Sequence, residues 1–141
     1  MQQLQFEASW DKALSAQDRN AIEKLFNDTK EQQHTALMFS PIREALNHRN
    51  ELLVTVLVHN FSDNPVVFDD TRLVYSNEQV VVAENIFTLP TLTIPPHVSM
   101  PWTFIFTVHQ GIALGNGRLT ADFNYKASKS KNNASKPKTS Q

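Results

Sequence analysis

The chain has 141 residues, 40% hydrophobic and 19% charged, a composition that suits one soluble globular domain. It contains no cysteine, which excludes disulfides, cysteine-ligated zinc and thiol catalysis. The net charge of −1 is unevenly divided: Lys126, Lys129, Lys131, Lys136 and Lys138 all follow the last acid, Asp122, so residues 1–125 carry about −6 and do not attract nucleic acid.

MQQLQFEASWDKAL has neither a basic n-region nor an apolar h-region, so no signal peptide is read there and a cytoplasmic protein is expected. No apolar run approaches the ~20 residues of a membrane helix. Leu4 and Phe6 alternate with polar neighbours as in a short strand, and Trp10 and Leu14 follow at helical spacing. Ser15 opens a capping-box-like Ser-Ala-Gln-Asp, and Ile22, Leu25 and Phe26 make one apolar stripe, predicting a helix over 16–27. Such a short helix is marginal alone and must dock on a sheet, with Trp10 packed beneath it.

A strand is expected from His34 to Ile42, ending at Pro41, with a polar turn region from Arg43 to Asn50. ELLVTVLVHN, Glu51 to Asn60, is apolar and β-branched at nearly every position, which predicts a central strand covered on both faces. Ser62 to Pro65 is a turn, and Val66–Phe68 and Arg72–Ser76 read as short strands. Gln79 to Leu89 reads as a further strand, broken by Pro90.

Ile94 to Val108 organises the rest. Val98, Met100, Trp102, Phe104, Phe106 and Val108 share one parity, a large apolar face that demands an opposing sheet. Pro95, Pro96 and Pro101 suggest that its first half is an edge or bulged segment. Gly111, Gly115 and Gly117 cluster in a loop region, Leu119 to Tyr125 alternates as a last strand, and the lysine-rich tail from Lys126 buries nothing and is expected to be disordered. The resulting expectation is mainly β: an antiparallel, immunoglobulin-like sandwich of about seven strands with one N-terminal helix on it, forming a single domain over 1–125 and a tail over 126–141.

Motifs that carry chemistry are scarce. His34, His48, His59, His97 and His109 include no pair at i, i+2 or i, i+4, and Asp69-Asp70 lies in no calcium-loop pattern. No GxSxG elbow occurs, and no predicted helix follows the glycines to make a phosphate loop. Trp102, Phe104 and Phe106 could stack on sugars, but their alternation assigns them to the core. A partner strand could add at an edge, and Arg72–Ser76 has fewer blocking prolines and charges than its rivals; there Arg72 and Val74 would select the partner's side chains. Against that stands an ordinary interior strand.

Several stretches stand out together: Trp10 to Ser15 with Gln17-Asp18-Arg19, Ser40 to Arg43, Asn50 to Thr55, His59-Asn60, and Val82-Ala83-Glu84 with Phe87. The most specific is Ile94-Pro95-Pro96-His97 followed by Ser99-Met100-Pro101-Trp102-Thr103-Phe104. In this order they resemble the SLAP domain of Bacillus-type Gram-positive bacteria. The resemblance spans residues 4–125 in a single copy, whereas the better-known S-layer assembly proteins carry two. It implies a non-enzymatic protein-interaction module in S-layer-type assembly or accessory Sec export, with no catalytic residue, cofactor or metal. A cell-wall glycan-binding module and a small metal- or ligand-dependent enzyme are the competing readings.

Overall fold

The computed structural model describes residues 1–33, 35–78, 80–108 and 117–123. Seven strands form two sheets, with two short helices at the N-terminal end of the chain. In chain order they are β1 Gln3–Leu4, α1 Ala8–Ala13, α2 Ala16–Thr29, β2 Leu37–Leu46, β3 Glu51–Asn60, β4 Val66–Asn77, β5 Val80–Ile94, β6 Val98–Thr107 and β7 Gly117–Asp122. Sheet A has the order β1-β6-β3-β2 and sheet B the order β5-β4-β7. One sheet curls into a half-barrel, and the arrangement does not clearly follow the immunoglobulin pattern. All pairings are antiparallel except β1 with β6, which is parallel with Gln3 opposite Val98.

Strand β3 is the covered central strand its sequence describes. Leu52, Val54, Val56 and Val58 face sheet B, where they join Phe104 and Phe106 of β6 and Phe68, Leu73 and Phe87. Phe104 sits among three rings, with centroids 6.1 Å from Phe39, 5.5 Å from Phe68 and 5.4 Å from Phe87. On the other face Leu57 meets Ile22 and Phe26 of α2, and Trp10 is half-buried against the same cluster. Layers therefore run helices, sheet A, sheet B, each burying its apolar side on the next.

The helical segment is two helices where one was expected. Glu7 caps α1 by accepting from Ser9 N at 2.9 Å, and the Ser9 hydroxyl and amide hold the Glu7 carboxyl below its usual range. Ser15 accepts from Asp18 N at 3.0 Å and starts α2 at the expected residue. Arg19 clamps the two together: it reaches Asp11 Oδ1 and O, both at 2.9 Å, and lies 4.8 Å over the Phe6 ring. These contacts give the Trp10-Asp11 and Arg19 positions a structural reason.

Four expectations about strand ends are corrected, three of them involving proline. Strand β2 does not stop at Pro41 but continues to Leu46, with a register shift between Pro41 and Arg43, so the turn is confined to Asn47–Asn50. Strand β5 passes Pro90 to Ile94, because the pairing jumps from Phe68–Leu89 to Val67–Thr93 and asks no ladder bond of residues 90–92. Pro101 lies in a strand paired on both sides rather than at an edge. His97 and Ser99 turn their carbonyls to Gln3 and Gln5 of the β1 segment, so Pro101, on the same parity, turns its missing N–H past the end of β1 and costs β3 nothing. Finally, β4 is one strand across the Asp69-Asp70 interruption, where Asp70 takes φ 50° and its N–H donates to Thr88 Oγ1 at 2.9 Å.

The loop glycines Gly111 and Gly115, the strand end at Tyr125 and the lysine-rich tail lie outside the described residues.

Candidate functional site

The two sheets meet closely along one side, where the end of β5 packs toward β6. On the opposite side β2 and β7 are the outermost strands of their sheets and face one another across a cleft of about 1010 Å³. Its interior is apolar, with Phe39, Val54, Val56, Tyr75, Leu119 and Ala121, and Arg43, Glu44 and Arg118 bring charge to its walls. Among the described residues no backbone hydrogen bond joins β2 to β7.

The free side of β2 can be read bond by bond. Phe61 N donates to Ala36 O, so residues 36, 38 and 40 turn their main-chain groups to β3, and Leu37, Phe39 and Pro41 turn theirs outward. The extra residue at Ile42 then reverses the parity. Asn47 N donates to Glu51 O, which leaves Glu44 and Leu46 turned outward instead. Leu37 O accepts from Thr35 Oγ1 at 2.5 Å and keeps a second lone pair. Pro41 and the bulge are devices that limit pairing, yet among the described residues no strand pairs with the outward main-chain groups of Leu37 and Phe39.

A second polar constellation lies inside the protein and was not legible in the sequence. His59 is fully buried, with Nδ1 2.6 Å from Ser99 Oγ and Nε2 2.9 Å from Ser40 Oγ and 3.2 Å from Thr29 Oγ1. Thr29 Oγ1 donates to Leu25 O at 2.6 Å, so toward His59 it can only accept. The hydrogen bonds therefore assign the proton to Nε2, and Ser99 Oγ donates to Nδ1 while accepting from Gln2 Nε2 at 3.0 Å. Burial lowers the imidazole pKa to about 4, and Phe61 stacks on the ring at 5.3 Å. One side chain thus joins α2, β2, β3 and β6, with Gln2 extending the network. A serine beside a histidine suggests nucleophilic chemistry, but these are sealed from solvent: Ser99 and His59 are both 0% exposed.

Asn60 is the neighbouring staple. Its Nδ2 donates to Asn64 O at 2.8 Å, Ile94 O at 3.0 Å and Pro95 O at 3.1 Å, while Oδ1 accepts from Ser62 N at 3.0 Å. It fixes the Ser62–Pro65 turn against the diproline that precedes β6. The His59-Asn60 and Ile94-Pro95 stretches are thus one physical unit.

The expected partner edge at Arg72–Ser76 is corrected. Strand β4 is the middle of sheet B, with Arg72 opposite Ile86 on β5 and Asp122 on β7, and Val74 opposite Glu84 and Thr120. Its main-chain groups are already paired on both sides, so no strand can add there. Arg72 and Val74 are half-buried on the outer face of sheet B, and Arg72 forms an ion pair with Glu84. Sheet order is not encoded in a local pattern; among the described residues the outermost strands are β1 and β2 in sheet A and β5 and β7 in sheet B.

Of the histidines, His34 and His109 lie outside the described residues; His97 Nε2 meets Asp63 Oδ1 at 2.7 Å. Among the described residues no three His, Asp or Glu side chains converge as metal ligands, and no helix is long and apolar enough to cross a membrane. Trp102 is half-buried against the apolar core, so its ring is not displayed as an open sugar platform.

The described residues thus form a β-rich domain of two sheets, with helices docked on one of them and an open apolar seam between β2 and β7. The SLAP domain profile matches residues 4–114, and the chain belongs to that family, which is associated with the accessory Sec system. No curated protein and no solved structure shows a significant match.

Proposed function

We propose that the chain is a non-enzymatic interaction module that works in the cytoplasm and holds a protein component or client of the accessory Sec route during export or assembly of cell-surface, S-layer-type proteins. The family match across residues 4–114 carries this reading, since it takes in both helices and all of strands β2 to β6. The open β2/β7 seam supports it by offering, among the described residues, strand edges with no further strand paired to them beside apolar surface, the combination that recognises polypeptide. Arg72 and Val74, on the outer face of sheet B, can touch a partner only through their side chains.

Crosslinking followed by affinity capture from the producing bacterium tests the reading. An accessory Sec component or a cell-surface precursor is the expected catch. Recovery of neither, from cells in which both are expressed, overturns it. Fractionation checks the compartment.

A further inference from the structure

Resting on the interaction reading above, we infer that the seam between β2 and β7 takes an extended, acidic segment of a partner polypeptide, which pairs as a strand with the outward edge of β2 over Leu37 to Pro41. Three observations converge on an occupant of this chemistry. Leu37 and Phe39 present N–H and C=O groups away from β3, and Pro41 adds a carbonyl, a spacing of two residues that only another extended backbone matches. Behind them Phe39, Val56 and Leu119 offer apolar surface to alternate side chains of such a strand.

Charge then selects among peptides. Arg43 from β2 and Arg118 from β7 flank the cleft, both are exposed, and neither has an ion-pair partner among the described residues. Two guanidinium groups on opposite walls favour carboxylates on the incoming strand and disfavour lysine. Glu44, the acid among the described lining residues, sits on the same strand just past the bulge and repels a carboxylate placed opposite it. The acids of the partner therefore belong at the mouth, near Arg43 and Arg118, and not at the Glu44 level. The chain's own lysine-rich segment after Tyr125 has the wrong charge for these walls, and its apolar side chains are only alanines and Pro137, too little to fill the apolar interior.

The test uses the full chain and two short labelled peptides, one alternating valine with glutamate and threonine, the other with lysine in place of glutamate. Binding of the acidic peptide is expected in the micromolar range, with amide exchange at Leu37 and Phe39 slowed by about tenfold or more at saturation. The double variant Arg43→Glu, Arg118→Glu, both at exposed positions, is expected to weaken it by about tenfold at low salt. No binding of the acidic peptide at about 1 mM, equal binding of the lysine peptide, or protection that appears elsewhere than β2 overturns the inference. Self-association of the chain through the same amides also overturns it, in favour of a second copy. Capture of a Sec partner that persists in the double variant, with exchange at Leu37 and Phe39 unchanged, removes the seam alone; failure to capture any partner removes the interaction reading itself.

Discussion

Sheet A has two buried faces built by different physics. Toward sheet B it presents Leu52, Val54, Val56, Val58, Phe104 and Phe106, an apolar patch that is held by area and packing. Toward the helices it presents Leu57 beside Ser40, His59 and Ser99, and there oriented hydrogen bonds around one imidazole fix how α2 lies. The first face is sensitive to volume and indifferent to pH. The second is sensitive to proton activity and to the direction of each hydroxyl, since every partner must be satisfied or the group is stranded in a dry site.

Truncation on the first face has the largest expected effect. Phe104→Ala, removing a ring in contact with three others, should destabilise by about 3–5 kcal/mol in a urea titration, equally at pH 7 and pH 5. Trp102→Ala should cost less, because that ring is only half-buried.

Acid should discriminate between the faces. Below about pH 6.5 the unfolded chain protonates His59, while the folded chain, with its imidazole held to about 4, does not. The contribution is complete above pH 6.5 and declines as pH falls, by at most about 1.4 kcal/mol per pH unit, levelling off below about 4. A His59→Gln variant should lose this component of the slope. Identical pH profiles for the two proteins would show that the helix face is not held as described.

Crowding should be intermediate. A Cβ on Gly117 would lie 1.9 Å from the Tyr75 hydroxyl and 2.0 Å from Cζ, and Tyr75 is packed in the core, so the ring cannot step aside freely. Gly117→Ala should cost about 1–3 kcal/mol by overpacking, again without pH dependence. The smallest effect should come from the helix layer: Ser15→Ala removes the cap on Asp18 N and about 1 kcal/mol, read as a small shift of the denaturation midpoint.

What the sequence revealed follows the same division. Apolar parity is a local signal, and it located β3, the inward face of β6 and the docking stripe of α2 from single stretches. Proline was misread at Pro41, Pro90 and Pro101 because its effect depends on which way the missing N–H would point, and that depends on neighbours far along the chain. For Arg72–Ser76 the sequence leaves an edge and an interior strand both open for the same reason: nothing local shows that β7 and β5 flank it. The His59 network joins residues 29, 40, 59 and 99, each unremarkable within its own stretch, and only the assembled sheet brings them together.

The parallel pairing of β1 with β6 bears on the order in which the chain can assemble. Gln3 finds its partner at Val98, and α2 packs on a surface that does not exist until β2, β3 and β6 lie side by side. Closing so long a loop is entropically unfavourable until the intervening strands have formed. On the ribosome, the segment Gln3 to Thr29 emerges before β6 and cannot take its final place until β6 has been made. While β6 is still being synthesised, Leu4, Phe6, Trp10 and Ile22 remain without their final cover, so the nascent chain displays an amphipathic segment that the finished domain conceals.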